Sequence, residues 1–304
     1  MGRDRVDAVE LPPTTGGHRV KAWTTLVEPR ELLPRLGDEG LVVIDASADL
    51  GSPGAARARF LQAHVPGARH ADLDHDLSDH RLRGQGRHPW PAAGDFEGRL
   101  AEWGIAPEHQ VVVYDAADGA LAAARLWWML HVLGHQRVAV LDGGWNAWRA
   151  ESLPVASGEA RPRERIDHPP GRAFDDSRLF DAGDVQAHLD RGGMLVDARA
   201  AERFRGEVEP LDRVAGHVPG AVNRPYALNL HQGRFKPAGT LRDEFRSLLG
   251  DTPPGDVVVM CGSGVTACHH LLAMAHAGLH GAGLFTGSWS GWIEDPSRPV
   301  ATGD

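Results

Sequence analysis

The sequence predicts an α/β protein built as two tandem units, each a parallel sheet flanked by helices. Three observations predict it. Four segments occur twice, in the same order. Within each copy, short β-branched runs alternate with helical patterns, which is the signature of strands covered by helices. The chain has 304 residues, enough for two domains of roughly 100–200 residues.

The repeat is explicit. VVIDAS (Val42 to Ser47) returns as MLVDAR (Met194 to Arg199), with Asp45 and Asp197 152 positions apart. AHVPGA (Ala63 to Ala68) returns as GHVPGA (Gly216 to Ala221), 153 apart. VVVYD (Val111 to Asp115) returns as VVVMC (Val257 to Cys261), 146 apart, and LDGGWNAW (Leu141 to Trp148) as FTGSWSGW (Phe285 to Trp292), 144 apart. Matches that keep order while their offset drifts mark a duplicated domain.

Taken in order, residues 1–20 carry no apolar core of signal-peptide type and are expected to be a loose tail. The first unit, 21–150, contains LVVIDA, VVVYDA and VAVLDG, β-branched runs that predict buried strands. AAARLWWMLHVLGH (Ala122 to His135) predicts an apolar helix ending near Gly134. Residues 151–174 are rich in Pro, Gly and charge without a hydrophobic period, which is linker composition. The second unit, 175–304, has TACHHLLAMAHAGLH (Thr266 to His280) as its counterpart helix. Open parallel sheets bind ligands at the carboxyl ends of their strands, where Asp115 and Cys261 both fall.

Composition narrows the function. Hydrophobic residues make up 42% and charged residues 24%, values of an ordinary folded protein rather than a disordered one. The net charge of −9 argues against a nucleic-acid partner, which needs a basic surface, while leaving room for a local anion pocket. No apolar run is long enough to span a bilayer, so no membrane partner is expected. The two cysteines, Cys261 and Cys268, lie about 10 Å apart along a helix axis, too far for a disulfide. With no CxxC pair they form no zinc set, and no metal is expected. A cytoplasmic setting fits this cysteine usage.

Cys261 is the candidate nucleophile. It ends an apolar strand and opens CGSGVTA, which leads into a helix. Gly262 and Gly264 free the backbone to turn its N–H groups inward as an anion nest. The following helix points its positive end at the same place. Such surroundings favour the thiolate, the form that attacks. Ser263 and Thr266 add hydroxyl donors, with Val265 completing the loop. Cys268, on the apolar helix, is expected to be a core residue.

With the duplication, CGSGVTA, the HVPGA segments, the DAR of Asp197 to Arg199 and the closing GSWSGW, the chain resembles the tandem rhodanese family from about Trp23 to Val300. The resemblance implies two rhodanese-like domains, an inactive first one and a catalytic second one; Asp115 at the twin position of Cys261 agrees, since a carboxylate carries no sulfane sulfur. CGSGVTA is similar to the loop of the 3-mercaptopyruvate sulfurtransferase branch. The thiosulfate branch has Arg and Lys where this chain has Gly262 and Ser263. The implied activity is sulfur transfer from a small anionic donor, 3-mercaptopyruvate, through a Cys261 persulfide to cyanide or a thiol such as reduced thioredoxin, with no cofactor. The alternatives are thiosulfate as donor, or a sulfur-carrier module without catalysis. A cysteine phosphatase would need an Arg closing the loop, and this chain has none.

The resemblance also implies groups around the substrate: Arg203 for the donor's carboxylate, His64 of the first domain beside Ser263, and Arg199 as a further motif arginine, expected to be structural and paired with an acid though counted with the substrate-binding set. A second carboxylate-binding arginine would fall near Asp212 or Arg213. The family's acidic partner for the histidine would lie upstream of His64, where SPGAARARF offers no acid.

Overall fold

The computed structural model describes residues 22–49, 51–52, 54–166, 168 and 171–304. The tail expected over 1–20 lies outside them. The first half contains strands β1 (Leu26–Val27), β2 (Leu41–Asp45), β3 (Arg69–His70), β4 (Gln110–Tyr114) and β5 (Val138–Leu141). Its helices are α1 (Pro29–Leu32), α2 (Ala55–Gln62), α3 (Ala93–Glu102), α4 (Ala123–Val132) and α5 (Gly144–Ala150). The second half repeats the plan with β6 (Leu179–Phe180), β7 (Met194–Asp197), β8 (Val222–Asn223), an added hairpin β9 (Leu230–His231) and β10 (Arg234–Phe235), then β11 (Val257–Met260) and β12 (Gly283–Phe285). Its helices are α6 (Ala182–Asp190), α7 (Ala201–Phe204), α8 (Ala238–Leu249), α9 (Ala267–His276) and α10 (Ser288–Trp292).

Each half forms a parallel five-stranded sheet, in the orders β1-β5-β4-β2-β3 and β6-β12-β11-β7-β8, the same permutation twice. The strands alternate their side chains between two layers, as a period of two requires. Val42 and Ile44 of β2 and Val257 and Val259 of β11 face one shared apolar cluster that runs through both halves. Leu41 and Val43 face the outer layer of the first sheet, and Val258 and Met260 that of the second. Each such side chain, fully buried, contributes roughly 1.5–3 kcal/mol. α4 and α9 pack against each other between the sheets, so the cores of the two halves are continuous.

The twin helices also end alike. Gly134 and Gly278 take φ of +90° and +76°, and the next residues bond back, His135 N to Leu130 O and Leu279 N to Met274 O. That is the glycine-terminated C-cap that relieves the last carbonyls of a helix, and it places the end of α4 where the sequence predicts it. The segment expected as linker forms neither helix nor strand among its described residues. It lies along the first half, with Ala156 bridging to His64 and Gly158 N bonding to Leu61 O.

Two loops cross between the halves. Residues 71–92 connect β3 to α3 without regular structure and reach the second half, where Arg87 N donates to Ser290 Oγ at 3.0 Å. In the other direction the β9–β10 hairpin docks on the first half through Phe235 N to Asp142 Oδ1 at 2.9 Å. No described helix is long and apolar enough to cross a membrane.

Candidate active site

Cys261 follows β11 directly and is 3% exposed. The strand end is pinned from the neighbouring connection of β12 to α10. Cys261 N donates to Ser288 Oγ at 3.0 Å, and Cys261 O and Gly262 O accept from Trp289 N and Ser290 N. The two loop glycines have different reasons to be glycine. Gly264 sits at φ +73°, and a Cβ there would collide with Thr286 O. Gly262 has no such backbone demand. Its missing Cβ makes room for guanidinium groups: a Cβ would stand 2.8 Å from Arg87 Nη2 and 3.6 Å from both terminal nitrogens of Arg203. A long cationic side chain at 262 would clash with these groups and repel them.

Arg203 therefore lies against the loop. It is fastened by Glu209, with Nη2 to Oε1 at 2.7 Å, and by Asp212 at 3.3 Å. Burial pushes the Glu209 carboxyl up, but hydrogen bonds from Arg203 and from the Leu211 and Asp212 amides outweigh it and hold it below its ordinary value. Asp212 also accepts from Arg87 Nη1. The second arginine sought near residues 212–213 is thus not there: Asp212 occupies the place of a bridge, and the second cation is Arg87 from the first half. Arg213 turns away to Ile293 O and Glu294.

Arg199 requires a correction only as a substrate-binding group, since a structural pairing with an acid is also expected of it. Its Nε and Nη2 bind Asp197 at 2.9 and 2.6 Å, Nη2 also reaches Gly216 O, and the guanidinium lies 4.8 Å from the Trp289 ring centre. With its side chain 1% exposed, it ties the DAR segment to the fold and is committed there.

His64 requires a second correction. Its Nδ1 lies 2.8 Å from Phe60 O, and its ring stacks on Phe60 at 4.1 Å. The twin His217 does the same with Phe204, at 2.8 and 3.7 Å. Each histidine ties its turn to a helix, His64 just after α2 and His217 thirteen residues beyond the end of α7. The histidine at Ser263 is instead His88, with Nδ1 2.8 Å from Ser263 Oγ. Its other ring nitrogen faces Asp74 Oδ1 at 3.6 Å, and His80 approaches the same oxygen at 3.0 Å. Burial, followed by the neighbouring Arg125 and Arg87, pushes the His88 imidazole down to about 3. It is neutral at physiological pH, so one nitrogen accepts while the other donates. The long 71–92 loop thus brings a histidine into hydrogen-bond contact with Ser263, with Asp74 near its far side but beyond hydrogen-bond distance.

Thr266 precedes α9, half-buried, and Val265 is buried. Cys268 is fully buried with Sγ on Gly264 O at 3.5 Å, and burial drives its thiol far up, which makes it inert. Among the described residues no cluster of ligating side chains could hold a metal.

The twin loop of the first half shows what such a loop grips. The Asp115 carboxylate accepts from the amides of Ala117, Gly119, Leu121, Ala122 and Ala123 at 3.0–3.4 Å. Burial raises its pKa against these amides. That nest is filled by its own side chain.

Sequence reasoning missed Asp74, Arg87 and His88. One signal was present: a connection of this length without a hydrophobic period, inside a compact domain, is commonly functional.

Comparison with known proteins gives the following. The chain matches the rhodanese-like domain family over residues 28–151 and 181–295. It is 45% identical to a protein of Pseudomonas aeruginosa named a probable 3-mercaptopyruvate sulfurtransferase, covering 92% of this chain and 98% of that one. It is 39% identical to SseB of Mycobacterium tuberculosis, provisionally named a thiosulfate sulfurtransferase, over 86% and 90%. Among solved structures it is similar to SseA of Escherichia coli, described as a 3-mercaptopyruvate sulfotransferase with the rhodanese fold. The TM-score is 0.72 at 31% identity, covering 88% of this chain and 100% of that one.

Proposed function

This chain belongs to the rhodanese family, and from that premise we propose that it is a sulfurtransferase that takes sulfur from 3-mercaptopyruvate onto Cys261 and passes it to a thiol or cyanide. The relatives' names support the reaction class. The observation that carries the donor is the meeting of Arg203 and Arg87 over Gly262, one residue from the thiol. Two guanidiniums suit a carboxylate, and the relay at Ser263 suits a donor that must move a proton.

In the first half-reaction the Cys261 thiolate attacks the sulfur of the donor. The S–S bond forms as the carbon–sulfur bond breaks, and that electron pair becomes the pyruvate enolate. The proton of the donor's thiol passes through Ser263 and neutral His88 to the enolate carbon, giving pyruvate, so no external proton is required. Arg203 and Arg87 hold the carboxylate, and the loop amides hold the Cys261 persulfide anion. In the second half-reaction cyanide or a thiolate attacks the outer sulfur and Cys261 leaves as thiolate. The first domain has Asp115 in place of a thiol and runs no such cycle; it supplies Asp74, Arg87 and His88 to the other domain's site.

Thiosulfate is the second reading, favoured by the name of the SseB relative and by the suitability of two guanidiniums for any dianion. Mass spectrometry after donor without acceptor is expected to show one added sulfur on Cys261; an adduct on Cys268, or none, refutes the scheme. Cyanide-dependent turnover on the two donors separates the readings.

A further inference from the structure

One buried cation has no role in this scheme. Arg125 in α4 has a relative exposure of 0%. Its hydrogen bonds all go to backbone carbonyls: Leu77 O from Nε and Nη2, His88 O from Nη2, and Gly264 O from Nη1 at 3.1 Å. The Trp90 ring centre lies 5.0 Å from it. Among the described residues no carboxylate pairs with it. Burial pulls it down to about 10, so it is a cation at neutral pH. A buried charge without a counter-charge is strongly destabilising, which makes its retention informative. Its Nη1 meets Gly264 O, in the loop that Cys261 opens, at the same carbonyl that Cys268 Sγ approaches at 3.5 Å, and Cys268 is inert.

The duplication supplies the control. α4 and α9 begin at Ala123 and Ala267, 144 positions apart, so the twin of Arg125 is His269. Each reaches across the domain boundary to the other half's loop: Arg125 Nη1 to Gly264 O, and His269 Nε2 to Asp118 O, both at 3.1 Å. Asp118 and Gly264 are 146 apart, the same offset as Asp115 and Cys261. In the first half, the peptide whose carbonyl His269 meets is the one whose N–H, on Gly119, holds the Asp115 carboxylate at 3.0 Å. Its twin is the Gly264–Val265 peptide. A donor on one end of a peptide strengthens the N–H at the other. The two sites are wired alike and differ in charge. A neutral histidine, which burial drives down to about 3, serves the loop already filled by Asp115. A guanidinium serves the loop that ends in a thiol.

We propose that Arg125 is the first domain's counter-charge to the sulfur anion on Cys261, acting through the Gly264–Val265 peptide as a positioning residue. This rests on Cys261 being the sulfur-carrying thiol. The first domain then tunes the chemistry of the second as well as completing its pocket.

The test follows Cys261 alkylation by iodoacetamide without donor, mapped by mass spectrometry, from pH 5 to 10. Arg125→Gln is expected to lower the rate at pH 7 about tenfold and to recover the native rate at the alkaline end, because less thiolate is present but the loop is unchanged. A purely structural role would lower the alkaline plateau instead. Arg125→Lys, which keeps the charge, is expected to stay within about threefold of native at pH 7, and it carries the test if the Gln variant does not fold. His269→Gln, at the twin position of the same boundary, is expected to leave the profile unchanged. A native profile in folded Arg125→Gln, or a tenfold loss in folded Arg125→Lys, overturns the proposal. If Cys261 of the native chain neither alkylates nor takes up sulfur, the sulfurtransferase scheme itself fails, and this is read before any Arg125 variant.

Discussion

The first domain's contribution to donor binding can be measured at Arg87. Its Nη2 stands 2.8 Å from the point a Gly262 Cβ would occupy, and both terminal nitrogens of Arg203 stand 3.6 Å from the same point. Arg87→Met deletes one fork of the clamp and leaves Asp212 to compete for Arg203 alone. A hydrogen bond to a charged group contributes about 1.5–3 kcal/mol. The Arg87 side chain is 31% exposed, which places it at the lower end, about 1.5–2 kcal/mol, or roughly 10–30-fold in affinity. Since the carboxylate is held equally before and during sulfur transfer, the loss should fall on KM for 3-mercaptopyruvate, with kcat within about threefold of native. Arg87→Lys keeps a point charge without the fork and should lose less. The assay is steady-state pyruvate formation with cyanide as acceptor. A KM within about twofold of native together with a large fall in kcat would show that Arg87 acts on the relay or the loop, and the clamp would be refuted.

Three further outcomes follow from the geometry. His88→Ala should lower kcat by about a hundredfold, the scale of a lost proton shuttle, while the native kcat/KM shows no imidazole inflection between pH 5 and 8, because burial holds His88 neutral there; an inflection that disappears in the variant would contradict this. Gly264→Ala forces a side chain into φ +73° against Thr286 O, so a loss of at least about 1–2 kcal/mol is expected in urea unfolding; an unchanged midpoint would remove the backbone argument. Burial raises Asp142 from 3.8 to about 6. An acid raised in the folded state weakens the fold as pH climbs through that interval. Asp142→Asn keeps the acceptor for Phe235 N and should stabilise by up to about 3 kcal/mol at pH 8, with the gain absent near pH 4. An equal gain at both pH values would show that the effect is not ionisation.

The sequence made legible what repeats and what is locally patterned. The β-branched runs of β2, β4 and β11 and the apolar α4 and α9 show their period directly, and Cys261 is marked by the strand before it and the glycines after it. The relay was legible only as a chemical type. His64 drew attention because it sits in HVPGA, yet the same histidine recurs as His217 in the other copy. A residue present at both twin positions serves what the domains share, which is the turn, whereas His88 falls in a connection whose counterpart, between β8 and α8, forms the β9–β10 hairpin instead. Arg87 and Arg125 escaped for a different reason. Their partners, Asp212 and Gly264, are 125 and 139 positions away, and no local pattern encodes a contact across two domains. Arg199 and Arg203, four residues apart, part in what the fold offers them: Asp197, Gly216 O and the Trp289 ring for the first, Asp212 and the loop for the second.

The filled nest of the first domain has a consequence for how reversible the division of labour is. Converting Asp115 to cysteine would supply a thiol and nothing else. The connection from Asp115 to α4 is two residues longer than that from Cys261 to α9, the side chain arriving from the partner domain is His269, and the hairpin that crosses toward the first half spends its guanidinium, Arg234, on Asp142 O and Glu151. Silence in the first domain is held by several independent features at once, so no single base change restores it. The first copy of the loop is scaffolding whose conversion into a site asks for several coordinated changes.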